Sequence, residues 1–240
     1  VDVSLEGYKA VFKNRNIMSG FSNTIFYTAA GTAINLVVTT LAAYPLARRT
    51  LPYRKPLMLL FIFTMYFSGG MIPNYILLMQ LGMLNTRWAI LLPGALSVYN
   101  MILMRSFIEH LPGELYEAAS IDGCSDITFL LRVTLPLSMP ILAVLVLYYA
   151  VGHWNAYFNA MMYLTDQRLM PLQIILRDIL VSNTIQINEI ADEDTLRAKQ
   201  GLSELLKYAL IVISSLPVMM IYPFIQKYFI QGVMIGSLKG

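Results

Sequence analysis

The most regular chemistry in this sequence lies in residues 109–135, EHLPGELYEAASIDGCSDITFLLRVTL. Two carboxylates, Glu117 and Asp122, flank the adjacent small residues Ala118 and Ala119. Ala118 and Asp122 stand four residues apart, so they lie on one face if the segment is helical. Small side chains let another surface approach closely, and the carboxylates give that face acidic edges. The pattern is typical of a short docking helix.

Local signals predict where this helix ends and where a second one begins. The turn at 112–113 precedes the first helix, and Gly123 is a natural stop because glycine readily adopts the left-handed conformation at a helix C-terminus. Ser125 or Asp126 suits the N-cap of a second helix that runs toward Pro136. We therefore expect two helices joined by a tight turn.

The composition indicates that these helices stand between membrane spans. The chain has 240 residues, of which 57% are hydrophobic and 13% are charged, whereas soluble domains carry about 25% charged residues. A soluble protein of this size cannot bury so much apolar side chain. The single Cys124 excludes an internal disulfide and a cysteine-rich zinc site, and a net charge of +3 does not indicate nucleic acid as a partner.

Five apolar stretches are long enough to cross a bilayer of about 30 Å. They cover residues 20–47, 56–81, 88–108, 136–164 and 205–230. None alternates with a period of two, so we expect an all-α, polytopic helical bundle in which residues 1–240 form one transmembrane domain. Glycines and prolines inside the spans indicate either broken helices or ordinary kinks.

Basic residues set the predicted orientation. The link between the first and second apolar stretches contains four basic residues, Arg48, Arg49, Arg54 and Lys55. This link should therefore face the cytoplasm. The link 82–87 is then outside, the loop 109–135 is inside, and the loop 165–204, which we call the outer loop, is outside. Residues 1–19 also fall outside with no signal peptide, so we expect a sixth span, preceding this sequence, in the full protein.

The segment 109–135 resembles the EAA motif of ATP-binding-cassette (ABC) importer permeases. The resemblance rests on residues 117–119, Asp122-Gly123, Phe129, Leu135-Pro136 and Pro140. Cys124 departs from the motif, in which a small residue such as alanine is usual at that position. Residues 67–107, 148–164 and 227–240 are similar to the maltose-type carbohydrate permeases, in the branch that handles oligosaccharides derived from polysaccharides.

This resemblance implies a permease of the bacterial inner membrane with six spans, embedded in lipid. In that family Glu117, Ala118, Ala119, Asp122 and Gly123 belong to the coupling helix that seats in a groove of the ATPase. The implied partners are a second homologous permease, two ATP-binding subunits and an extracytoplasmic solute-binding protein. ATP and Mg²⁺ would bind in the partner ATPase, and no cofactor or metal is expected in this chain.

Sugars are bound by aromatic faces and by amides, so the solute pathway should be lined with such groups near the middle of the membrane. The candidates are Tyr66, Tyr75, Asn100, Trp154, Asn155, Tyr157 and Asn159. Asn155 and Asn159 share a helical face. Hydrogen bonding between helices is an equal alternative for these two amides, and interfacial anchoring is an alternative for Trp154 and the tyrosines.

The sequence also limits the competing functions. No glycine is followed by lysine, so the chain has no P-loop, and no Ser/His/Asp set or HExxH motif indicates an enzyme. An ion-coupled secondary transporter is the alternative, but it requires ionisable groups inside the membrane, and every Asp and Glu lies outside the five spans. An acidic solute, such as a fragment of alginate or pectin, is plausible, while its identity and length stay open.

Overall fold

The computed structural model describes residues 9, 11, 13–187, 208–209, 211–217 and 219–220. All regular elements in this part of the chain are helical, which confirms the all-α fold class. The helices are α1 Arg15–Ala47, α2 Arg54–Tyr66, α3 Met71–Gln80, α4 Trp88–Leu91, α5 Val98–Glu109, α6 Glu114–Ile121, α7 Asp126–Phe129, α8 Leu135–Leu137, α9 Met139–Asn155, α10 Phe158–Tyr163 and α11 Leu172–Ile187. A π-helical turn, Leu130–Thr134, joins α7 to α8, and a 3₁₀ turn, Gln167–Leu169, precedes α11.

One helix of the described part, α1, is by itself long and apolar enough to cross a membrane. It has 33 residues and contains the first predicted stretch, 20–47. Two bent pairs bring the number to as many as three: α2 with α3, and the helix over 126–137 with α9. The predicted stretch 205–230 falls largely outside the described residues. The totals of five spans in this sequence and six in the full protein therefore stay predictions.

Three of the stretches that we expected to cross the membrane contain helix breaks, which is one of the two alternatives that their glycines and prolines left open. Residues 56–81 break after Tyr66, where Gly70 adopts a positive φ of 89°. Residues 88–108 break around Pro93, and the side-chain amide of Asn35 donates a 2.5 Å hydrogen bond to the Gly94 carbonyl that the break frees. Within 136–164, helix breaks follow Leu137 and Asn155. Such breaks are tolerated in membrane proteins where other groups satisfy the backbone.

The described helices belong to two compact units. Unit 1 comprises residues 1–29, 75–90 and 151–223, and unit 2 comprises residues 30–74, 91–150 and 224–240. The core of unit 2 contains Met101, Met104 and Leu145, each fully buried. The whole of segment 109–135 lies in unit 2. The prediction of one transmembrane domain over 1–240 stays a prediction.

In unit 1, polar side chains of α1 hold the backbone that leads into α11. The Asn23 amide donates to the carbonyls of Arg168 and Met170 at 2.7 and 3.1 Å. The Tyr27 hydroxyl donates to the Leu169 carbonyl at 2.8 Å, and the Thr24 hydroxyl accepts from the Leu172 amide at 2.8 Å. These contacts explain why an apolar helix carries Asn23, Thr24 and Tyr27, since each of these three side chains has a backbone partner.

Candidate coupling site and solute pathway

Segment 109–135 folds as the two helices that the sequence predicts. Helix α6 ends in a Schellman turn, in which the Cys124 amide donates to the Ala119 carbonyl at 2.9 Å and the Gly123 amide donates to the Ser120 carbonyl at 3.1 Å. Gly123 has the positive φ of 74° that this turn requires. The Ser125 hydroxyl then caps α7 by accepting from the Thr128 amide. Backbone hydrogen bonds therefore fix the angle between α6 and α7.

The solvent-exposed face of this segment combines two isoleucine side chains with carboxylates. Ile121 is 87% exposed and Ile127 is 72% exposed. Glu117, Ala118 and Asp122 are exposed on the same short stretch of chain. Because charged groups stand beside the two isoleucines, this face suits contact with another protein better than contact with lipid tails.

The inner face of the segment packs into the core of unit 2. Tyr116, Ala119 and Cys124 contact this core, and Phe129 is buried in it. The rings of Tyr116 and Phe129 meet edge to face with centroids 5.3 Å apart. Ala119 therefore serves packing within the chain, whereas Ala118 is available to a partner.

Arg48 joins both helices of the segment to the end of α1. Its guanidinium carbon lies 3.5 Å from the centre of the Tyr116 ring and 5.2 Å from that of Phe129. It forms an ion pair with Asp126 at 3.2 Å and donates a hydrogen bond to the Tyr44 hydroxyl. A planar guanidinium stacks on aromatic rings and donates in its own plane at the same time, so one side chain binds α1, α6 and α7.

A second ionic cluster lies where α5 enters the segment. Glu109 pairs with Arg54 and with Arg105, the latter at 2.9 Å. The same two arginines donate to the Leu46 carbonyl, at 2.8 Å from Arg54 and 3.1 Å from Arg105. A carbonyl in the last turn of a helix has no partner within the helix, and cationic donors satisfy it. The end of α1 is thus bound to α2 and α5 as well.

These anchoring roles were not predicted from the sequence. Arg48 and Arg54 indicated only the orientation of the chain, and no role was predicted for Glu109 or Tyr116. Sequence spacing indicates the Arg105–Glu109 pair, whose members are four residues apart on one helix, but not the Arg48–Asp126 pair, whose members are 78 positions apart.

In unit 1, the structure places four solute-pathway candidates within residues 154–159, at the end of α9 and the start of α10. Trp154 is buried: its indole N–H donates to the Ser214 carbonyl at 2.9 Å, and its ring meets Phe21 edge to face. The Asn155 amide donates back to the Val151 carbonyl. Tyr157 and Asn159 are exposed. Trp154 therefore joins neighbouring helices, and a role of the exposed Asn155, Tyr157 and Asn159 on a solute pathway stays a prediction.

The other three candidates come from separate helices. Tyr75, in unit 1, lies near Tyr163 with ring centroids 6.3 Å apart. In unit 2, Tyr66 is exposed at the end of α2, and Asn100 is buried in the first turn of α5. Their predicted place on a solute pathway stays a prediction.

Asn85 is a further residue that the sequence analysis overlooked, and it joins two loops of unit 1. It has a positive φ of 58°, which asparagine tolerates better than most residues. Its backbone N–H donates to the Tyr163 carbonyl at 2.8 Å, and its side-chain oxygen accepts from the backbone amides of Thr165 and Asp166. Hydrogen bonds from the side chain of Arg168 hold the pKa of Asp166 below its ordinary value. Asn85 therefore ties the predicted outer link 82–87 to the predicted outer loop 165–204.

Known proteins resemble this chain over almost its full length. Protein LplC of Bacillus subtilis is 43% identical over 238 residues, which is 99% of this chain and 79% of that protein. The polygalacturonan/rhamnogalacturonan transport system permease protein YtcP of Bacillus subtilis is 39% identical over 99% of this chain and 82% of its own length. A crystal structure of a bacterial ABC transporter involved in the import of the acidic polysaccharide alginate contains a similar chain, with a TM-score of 0.86 and 34% identity over 95% of this chain and 81% of that one.

A family model also matches nearly the whole of this chain. Residues 17–235 match a family described as the inner membrane component of binding-protein-dependent transport systems. That match spans both units and the whole of segment 109–135. It identifies a transport subunit and not an enzyme. This chain belongs to the family of binding-protein-dependent transport system inner membrane components.

Proposed function

We propose that this chain is the permease subunit of an ABC importer that carries an oligosaccharide across the bacterial inner membrane. The observation that carries the proposal is the exposed tip of segment 109–135, in which Ile121 and Ile127 stand beside Glu117 and Asp122. Arg48 braces this tip from behind through Tyr116 and Asp126. One side of this tip is exposed to a partner, and the other side is held to α1 through Arg48. Such a surface is suited to receive force from a partner.

We infer that a separate ATP-binding subunit receives the tip in a groove. Burial of Ile121 and Ile127 would supply the apolar part of this contact, at about 1.5–3 kcal/mol for each fully buried side chain. Glu117 and Asp122 would select a cationic rim on the partner. Ala118 lets the partner's backbone approach α6 closely. ATP and Mg²⁺ would be bound in that subunit.

The complete importer would contain two ATP-binding subunits, a second homologous permease and an extracytoplasmic solute-binding protein. The family description supports the last of these, because such systems depend on a binding protein. The loop over 165–204 is the surface we assign to it, and α11 occupies the described part of this loop. Asn85 would hold the start of that loop in a fixed position relative to the predicted outer link 82–87.

We propose that the transported solute is an acidic oligosaccharide. The support comes from the relatives. YtcP is named for the transport of polygalacturonan and rhamnogalacturonan, and the similar chain of known structure belongs to a transporter involved in the import of alginate. The exposed side chains of Tyr157 and Asn159 offer a ring face and an amide to a passing sugar. An ion-coupled secondary transporter gains no support from the family match or from the position of the carboxylates.

The coupling role is tested by reversing the charge of the tip. Glu117→Lys in the assembled importer, reconstituted in proteoliposomes with its binding protein, should abolish solute-stimulated ATP hydrolysis while membrane insertion stays normal. Lys13→Glu is the charge-reversal control, because Lys13 is exposed in unit 1 and lies outside both segment 109–135 and the loop 165–204. Unchanged stimulation in Glu117→Lys would refute the docking role.

The solute is tested by competition. Oligogalacturonides and alginate oligosaccharides should inhibit uptake of the native solute, and maltooligosaccharides should not. Tyr157→Ala and Asn159→Ala should raise the solute concentration required for half-maximal transport without changing the coupling of hydrolysis to transport. If neutral and acidic oligosaccharides compete equally, the assignment to acidic solutes is wrong.

A further inference from the structure

Unit 2 contains a second feature that the coupling mechanism does not use, a cavity of about 760 Å³ beside the N-terminus of α2. We call it the basic cavity. Its described lining holds four cations and no carboxylate; the cations are Arg49, Arg54, Lys55 and Arg105. This volume lies within the range of about 300–1,000 Å³ in which small-molecule sites are found.

The charges around the basic cavity are not balanced within the described part of the chain. Glu109 is shared by Arg54 and Arg105. Arg49 and Lys55 are exposed and form no ion pair with any described residue. Four cations against one carboxylate leave three positive charges around the basic cavity. An anion would be bound there favourably.

The wall of the basic cavity continues into an apolar surface. Met58 and Leu59 line it, and α2 has no buried residue along its whole length. Leu59, Leu60 and Phe63 are all more than half exposed. The 13 residues of α2 extend over about 20 Å, against about 15 Å for one leaflet of the hydrocarbon core. The helix therefore provides an apolar track as long as an acyl chain.

Tyr53 stands at the rim of the basic cavity in an uncommon conformation. It has a φ of 57° and its side chain is 79% exposed. A left-handed conformation is unfavourable for a bulky residue. Tyrosine rings are enriched at the level of lipid headgroups, because the ring is apolar and its hydroxyl is polar. This position is consistent with a rim that meets the membrane interface.

We propose that the basic cavity binds the phosphate headgroup of an anionic phospholipid, with its acyl chains lying along α2. Basic cavities at the cytoplasmic ends of membrane helices are suited to such headgroups. A soluble phosphate would satisfy Arg49 and Lys55 but leave the apolar track unused. An acidic protein surface would equally leave some 20 Å of exposed leucine and phenylalanine uncovered. An anionic phospholipid matches both parts at once.

The test uses the assembled importer, delipidated in detergent and titrated with phosphatidylglycerol or phosphatidylcholine, with bound lipid counted by native mass spectrometry. Phosphatidylglycerol should bind at least tenfold more tightly than phosphatidylcholine. The double variant Arg49→Gln/Lys55→Gln should weaken phosphatidylglycerol binding about 30-fold, from two interfacial charges. Lys9→Gln/Lys13→Gln removes two exposed cations from unit 1 and should leave binding unchanged.

Four results would overturn the assignment. Equal affinity for the two lipids, or an unaffected Arg49→Gln/Lys55→Gln variant, would show that the cavity does not read the phosphate charge. Glycerol phosphate that binds as tightly as the lipid would show a site for a soluble anion. Lipid binding that appears only after the ATP-binding subunits are removed would show that a protein partner occupies the basic cavity.

Discussion

Removal of Arg48 provides the most direct measure of how firmly the coupling segment is held. The Arg48 side chain is only 18% exposed, and its guanidinium stacks on Tyr116 at 3.5 Å. A largely desolvated cation–π contact stabilises by about 1–2 kcal/mol. The ion pair with Asp126 adds about 0.2–1 kcal/mol, because that carboxylate is 66% exposed. Arg48→Ala should therefore weaken the joint between α1 and segment 109–135 by about 2 kcal/mol.

Hydrogen exchange can measure this change locally. The amides of Gly123 and Cys124 are held by carbonyls of α6, so they exchange when the turn opens. A loss of about 2 kcal/mol corresponds to exchange that is about 30-fold faster. We expect this acceleration in peptides covering 114–129 of the Arg48→Ala importer, together with fewer solutes transported per ATP hydrolysed.

Three companion variants separate the contributions. Arg48→Lys keeps the charge and loses the planar stack, so it should accelerate exchange to an intermediate degree. Asp126→Asn should accelerate it less than about fivefold, because it removes only an exposed ion pair. Arg49→Ala is the control, since Arg49 has no ion pair within the described residues. If Arg48→Ala leaves exchange over 114–129 unchanged, the anchoring argument is wrong.

Two further predictions concern turns. Gly123 has φ +74° and open space where a side chain would begin. Gly123→Val should therefore reduce coupled ATP hydrolysis through backbone strain of about 1–2 kcal/mol, whereas Gly123→Asn should retain most of this hydrolysis. Equal activity of the two variants would show that the left-handed backbone conformation is not the constraint. Asn85→Ala should lower the affinity of the solute-binding protein, measured by titration onto the reconstituted importer, while Asn85→Asp keeps the accepting oxygen and should lower it less.

The parts of this structure that could be predicted from sequence are those set by neighbouring residues. The ends of α6 and the start of α7 follow from Gly123 and Ser125, which act within a few positions. Most of helix α1 follows from the long apolar stretch 20–47. The breaks at 67–70 and 92–97 coincide with glycine and proline, although sequence alone did not decide between breaks and kinks.

What the sequence could not predict depends on contacts between distant residues. Asn23 and Tyr27 look like misplaced polar groups in a span until the backbone near 168–170, more than 140 positions away, is seen to accept their hydrogen bonds. Trp154 belongs to the same class, because its partner Ser214 lies 60 positions away. A polar or aromatic side chain in a membrane helix therefore indicates a partner without identifying it as solute or protein.

The anchoring of α1 also bears on how force could travel from the coupling segment. Helix α1 is continuous over 33 residues, about 50 Å in length, and its last turn is held by Arg54 and Arg105 through Leu46. A displaced coupling segment must either break the Arg48 contacts or move this end of α1 with it. Breaking these contacts costs about 2 kcal/mol and leaves the mostly buried Arg48 guanidinium without the aromatic rings of Tyr116 and Phe129. Movement of α1 together with the segment keeps those contacts intact, so we expect the coupling segment and the end of α1 to move as one body.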